Sequence, residues 1–163
     1  MIAEFSVFDT KYFSVEHLFD SPENSKLIST FEAGNEAFGL EDYLKYQSAQ
    51  DEKLNNSRTY LVKDVLTGEL MGYFSLRTGL ITIQVKGDSF DSFPAIELAN
   101  FAVNKRYKDS HPNYIYALPE KKLLKYYKKL GFSRLPKEQE KFVQHHVKPK
   151  YDEGCVFMYQ TLV

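Results

Sequence analysis

Few residue groupings in this chain are of a kind that performs chemistry. His145, His146 and Cys155 are possible metal ligands, but they lack the close paired spacing of structural zinc sites and there is no second cysteine. No metal is expected. No G-x-S-x-G occurs, so a Ser-His-Asp arrangement has no nucleophile elbow. None of the 8 glycines forms a G-x-G, which excludes a dinucleotide-binding fingerprint and a Walker loop. Lys121, Lys122, Lys125, Lys128 and Lys129 gather on one predicted helix. Such a face suits RNA or the phosphates of a cofactor, and equally the solvated side of an amphipathic helix. The acidic residues Asp88 and Asp91, with Glu41 and Asp42, suit either attraction of a cationic amine or loop solvation. Tyr43, Tyr46 and Tyr73 serve an acceptor pocket or core packing.

The frame that must position these groups is a single domain over 1–163. Hydrophobic residues make up 43%, and 12 Tyr with 13 Phe argue against disorder. The net charge of -1 provides no global field toward nucleic acid or membrane. A single cysteine suits a reducing compartment. No apolar run approaches the roughly 20 residues that span a bilayer, and residues 1–20 do not resemble a signal peptide. A cytoplasmic protein with no membrane contact is expected.

Along the chain, Phe5 and Val7 alternate, as do Phe13 and Val15, which predicts one short strand before Asp20 at either pair. Ser21-Pro22 reads as a helix start. Two helical segments carry Leu27, Ile28 and Phe31, then Phe38, Leu40, Tyr43 and Leu44. The polar run 47–57 reads as a loop. The clearest hairpin joins Tyr60-Leu61-Val62 to residues 70–76 through a Thr67-Gly68 turn, and its second strand continues or bends at Gly79. Residues 86–93 read as a polar loop, 95–103 as a buried central strand, 105–113 as polar, and 114–118 as a strand. A helix over 121–130 closes at Gly131 in the left-handed conformation, with Phe132 packing behind it. Residues 137–150 have no clear pattern, and 156–162 read as a terminal strand.

Three pieces of this order resemble the GNAT family of N-acetyltransferases. They are the hairpin, the run Ile96-Glu97-Leu98-Ala99-Asn100-Phe101-Ala102-Val103 leading into Asn104-Lys105-Arg106-Tyr107-Lys108, and Tyr126-Tyr127-Lys128-Lys129-Leu130-Gly131-Phe132. The last matches the family's aromatic-Tyr-x-x-x-Gly-Phe signature. The resemblance implies an α/β fold with a mixed, mostly antiparallel central sheet flanked by helices. It implies direct acetyl transfer from acetyl-CoA to a primary amine in a ternary complex, without metal. Phe101, Ala102 and Val103 would hold the pantetheine arm and polarise the thioester. Tyr127 would protonate the leaving thiolate, which suits a phenol of pKa ~10. Glu97 would be the base, or simply a solvent-facing carboxylate on the strand. The acceptor is a small-molecule or peptide amine, with aminoacyl-tRNA also open, and a homodimer is possible.

One part of the family pattern is missing. The loop that holds the pyrophosphate falls on Lys108-Asp109-Ser110-His111-Pro112-Asn113, where Lys108 suits the first position and neither glycine is present. Only ten residues join the strands at 95–103 and 114–118, too few for the usual crossover helix. Two readings follow. Either a segment is missing between Ser110 and Tyr114, which the matching flanks favour, or the chain is a non-catalytic acyl-CoA-binding or protein-interaction domain on the same fold.

Overall fold

The computed structural model describes residues 12–34, 37–85, 87, 89–110, 120–141 and 158–160. The chain divides into two compact units, Met1–Ile81 with Phe93–Tyr116, and Thr82–Ser92 with Ala117–Val163.

In the first unit, β1 (Phe13–His17), β2 (Arg58–Asp64), β3 (Leu70–Gln84) and β4 (Phe90–Val103) follow one another across the sheet in that order. β1 is antiparallel to β2 with Val15 opposite Val62 and His17 opposite Tyr60, and β2 is antiparallel to β3 with Tyr60 opposite Phe74. The β2–β3 turn is built on Asp64. Its Oδ1 accepts the backbone N–H of Leu66 and Thr67 at 2.7 and 3.0 Å, and Gly68 closes the turn at φ +69°. This is the expected hairpin, with β3 running on past Gly79.

Helix α1 (Asn24–Ser29) begins later than Ser21-Pro22. Ser21 Oγ instead accepts the Glu23 N–H at 3.3 Å in the turn before it. Helix α2 (Phe38–Asp42) passes through a π-helical turn, Tyr43–Gln47, into α3 (Ser48–Lys53). The loop expected over 47–57 is thus largely helix. Its end is sharp because Asn55 takes φ +57°. The Asn56 N–H then reaches Asp51 O and the Asn55 N–H reaches Glu52 O, a Schellman motif with asparagine in place of glycine.

The core between the helices and the sheet holds Leu18, Phe31, Leu44, Leu61, Leu70, Tyr73 and Ala102. Phe31 meets the Tyr73 ring edge-on at 5.4 Å, and Tyr43 stacks on it at 6.4 Å. Tyr73 O–H donates to Leu40 O at 2.6 Å. Burial, together with Tyr43, pushes the Tyr73 phenol far above its ordinary pKa, so it is a poor proton donor. Tyr73 is core, whereas Tyr46 is 76% exposed.

Two further expectations change. β4 starts inside the expected loop 86–93, with Val85 N–H donating to Ser89 O at 3.0 Å. β4 is an outer strand of the sheet among the described residues, as is β1, and Ala102 is its one buried residue. Pro94, which cannot donate to a neighbour, suits that position. Residues 105–110, expected to be non-helical, form α4 (Lys105–Ser110).

The second unit holds the tip of the β3–β4 hairpin, where the Thr82 and Ser92 hydroxyls meet at 2.9 Å. It also holds α5 (Glu120–Lys129), β5 (Ser133–Arg134) and β6 (Met158–Tyr159), the last two antiparallel. The terminal strand is thus seen at Met158–Tyr159. Arg134 pairs with the buried Glu140 at 2.9 Å. The strand expected at 114–118, the point of the missing segment, and His145, His146 and Cys155 lie outside the described residues.

Candidate active site

The end of β4 is shaped by a glycine on its neighbour. A Cβ on Gly72 would lie 2.6 Å from Ala102 O and 3.3 Å from Val103 Cα. Only a residue without a side chain lets the two backbones approach this closely. Gly72→Ala is therefore expected to push the Ala102–Val103 backbone outward and destabilise the fold by about 1–3 kcal/mol. Chemical denaturation measures this, and an unchanged midpoint would mean that the strands separate freely.

Beyond Val103 the chain is held from several sides. Asn104, which is buried, donates from Nδ2 to Leu70 O at 2.8 Å. Its Oδ1 accepts the Arg106 N–H at 3.2 Å, and its carbonyl accepts the Lys108 N–H at 3.0 Å, so it caps α4. Arg106 Nε donates to Glu32 at 2.7 Å, and Tyr107 O–H to Asp64 at 2.5 Å. These contacts, rather than helix propensity, fix a six-residue helix too short to be stable alone. Phe101, Ala102, Val103 and Lys108 thus lie on one anchored strand–helix segment. Ala102 faces the core, while Phe101 is 54% exposed.

Glu97 does not stand alone. Arg77 donates from Nε and Nη2 to its two carboxylate oxygens, both at 2.7 Å. Two residues along β3, Ser75 Oγ accepts from Asn100 Nδ2 at 2.8 Å. The contacts 77 to 97 and 82 to 92 keep one antiparallel register, and 75 to 100 is one residue off it. Three residues of β4 therefore span two of β3, which is a β-bulge. The bulge brings Glu97 and Asn100 to the same face of the sheet. Ser75 is fully buried and lies opposite Thr59, whose buried Oγ1 has no hydrogen-bond partner.

Tyr127 belongs to the second unit, and its surroundings explain the spacing of its signature. Gly131, at φ +91°, ends α5. The Phe132 N–H donates to Tyr127 O at 3.0 Å, and the Gly131 N–H to Lys128 O at 3.1 Å. This is a complete Schellman motif, and its apolar contact is the Tyr127 ring against Phe132 at 5.5 Å, edge-on. Glycine four residues after the tyrosine and an aromatic five after it are what the motif requires.

Sequence reasoning missed Arg77, Ser75 and Asn104 as site-building residues, and read Asn100 as part of a strand. The available signal was polar side chains inside apolar strand runs. Among the described residues, no three His, Cys, Asp or Glu side chains could hold a metal, and no helix is long and apolar enough to cross a membrane.

Family models and curated proteins yield no match. Solved structures do. AtaT complexed with acetyl-methionyl-tRNAfMet matches at TM-score 0.53 and 18% identity, covering 77% of this chain and 89% of that one. AtaTR bound with acetyl-CoA matches at 0.53 and 20%, covering 79% and 90%. A tyrosine-to-phenylalanine mutant of the AtaT toxin, bound to the C-terminus of the antitoxin AtaR and acetyl-CoA, matches at 0.52 and 17%, covering 83% and 98%. The chain has the GNAT fold. The expected α/β architecture, with a largely antiparallel sheet and flanking helices, stands. Where the GNAT pattern has a glycine-rich pyrophosphate loop, this chain has Lys108, Asp109 and Ser110 in the last turn of α4.

Proposed function

We propose that this protein is an acetyl-CoA-dependent N-acetyltransferase, a single domain over 1–163, that acetylates a primary amine by direct attack in a ternary complex. The observation that carries this reading is β4, an outer strand among the described residues, set against Gly72 within a GNAT fold. The backbone at Phe101, Ala102 and Val103 binds the pantetheine arm and donates to the thioester oxygen. Lys108 supplies positive charge for the pyrophosphate. As the amine nitrogen bonds to the acetyl carbon and the C–S bond breaks, Tyr127 gives its proton to the departing sulfur. Glu97 is already neutralised by Arg77, so it accepts the amine proton only by exchanging that partner.

The acceptor that this reading favours is the α-amine of an aminoacyl-tRNA. An α-amine of pKa about 8 is partly neutral at physiological pH, whereas a lysine side chain near 10.4 needs a stronger base. Exposed Lys125, Lys128 and Lys129 on α5 suit tRNA phosphates, and the structurally similar AtaT has been solved in complex with acetyl-methionyl-tRNAfMet. Such a reaction belongs in the cytoplasm.

The absence of loop glycines around α4 favours a second reading, a non-catalytic acyl-CoA-binding or protein-interaction domain. Two measurements separate them. Acetyl-CoA at 100 times its dissociation constant is expected to stabilise the fold by about 2.7 kcal/mol, read as a thermal shift. Radiolabelled acetyl-CoA is expected to label charged tRNA at a rate that falls with added salt. Binding without transfer supports the second reading, and no binding at millimolar acetyl-CoA removes both acyl-CoA readings.

A further inference from the structure

We infer that Asn100 is an acceptor-binding residue, whose side-chain oxygen receives an N–H of the attacking amine and so aims the nitrogen lone pair. The inference rests on the acetyltransferase reading and names a residue which that reading does not require.

The β4 bulge turns Asn100 onto the face that carries Glu97, immediately before the Phe101–Val103 backbone assigned to the thioester. The amide orientation is fixed from below. Nδ2 donates to Ser75 Oγ at 2.8 Å, and Ser75 is fully buried, so this end cannot swing away. Among the described residues nothing donates to Asn100 Oδ1, while the side chain remains partly accessible. A positioned amide with one committed end and one open carbonyl oxygen is a hydrogen-bond acceptor waiting for a donor.

The charge around it selects the kind of donor. Arg77 and Glu97 cancel in a bidentate pair at 2.7 Å, so the row offers no uncompensated carboxylate to an ammonium group. A neutral carbonyl beside that pair suits an uncharged amine, the form that can attack. The row is also costly if purely structural, because Ser75 and Thr59 place hydroxyls in the interior and Thr59 Oγ1 has no partner.

The test is steady-state kinetics with bulk aminoacyl-tRNA as acceptor and acetyl-CoA as donor, with the thermal midpoint of each variant as a control. Asn100→Ala is expected to raise the acceptor KM about tenfold or more with the acetyl-CoA KM little changed. Asn100→Asp keeps an oxygen at the same place and is expected to hold the acceptor KM near the wild-type value. An unchanged acceptor KM in a folded Asn100→Ala protein overturns the assignment, as does a parallel rise in both KM values, which marks a distorted strand. Should the alanine variant not fold, the aspartate variant decides: a wild-type acceptor KM supports the role, and a tenfold rise overturns it. Wild-type protein that binds acetyl-CoA yet acetylates no charged tRNA defeats the reading beneath the inference, and both fall together.

Discussion

Tyr127→Phe is expected to slow acetyl transfer by about 10²–10⁴-fold, the usual contribution of a positioned proton donor. Acetyl-CoA affinity should barely move. The reason lies in what the substitution keeps. The Tyr127 carbonyl still accepts the Phe132 N–H, Gly131 still ends the helix, and the phenylalanine ring still meets Phe132 edge-on. Only the hydroxyl is lost, so a rate defect cannot be assigned to a damaged helix end. Single-turnover rates with calorimetry on the same protein make the comparison. A variant as fast as wild type would take Tyr127 out of the mechanism.

Glu52→Ala is expected to cost about 1–3 kcal/mol of folding stability, the range for leaving a buried hydrogen-bonding group unsatisfied. Glu52 is 4% exposed. Its Oε1 accepts the Thr59 N–H at 2.5 Å, and its Oε2 meets Arg58 Nη1 at 2.8 Å and His17 Nε2 at 3.0 Å. One carboxylate thus ties α3 to β1 and β2. Its removal leaves the buried Thr59 N–H without an acceptor, whereas the half-exposed Arg58 keeps the backbone carbonyl of residue 52 and Asn55 Oδ1. Urea unfolding with an unchanged m-value measures this. A loss of only a few tenths of a kcal/mol would show that neighbouring groups take over the bonds.

The same residue shows what the sequence could and could not reveal. Hydropathy reads 47–57 as a solvated loop because buried carboxylates and exposed ones look alike in a string of letters. The partners that make Glu52 an anchor are six, seven and thirty-five residues away. The β2–β3 hairpin and α5 were legible because their signals are local: alternation around a Thr-Gly turn, and an apolar face closed by Gly131. β4 was legible as a strand but not as a largely exposed one, since a run of Ala, Ile, Leu and Phe does not state what it packs against. α4 escaped notice because its stability comes from Asn104, Glu32 and Asp64, all tertiary partners. Among the candidate residues, Tyr127 announces itself through the glycine and phenylalanine after it. Asn100 and Ser75 meet only because the strands slip by one residue, and a slip of register leaves no trace in composition.

The π-helical turn at Tyr43–Gln47 carries a consequence for insertions and deletions. A wide turn is equivalent to one extra residue in a regular helix. Deleting one residue there would restore an ordinary α-helix and leave Glu52 near its present angular position, because the wide turn already absorbs the rotation of about 100° that one α-helical residue adds. A deletion inside the regular turn of α3 before Glu52 would instead carry that carboxylate about 100° round the helix and off the sheet it secures. The irregular turn is therefore a place in this helix where a single-residue change of length can be absorbed.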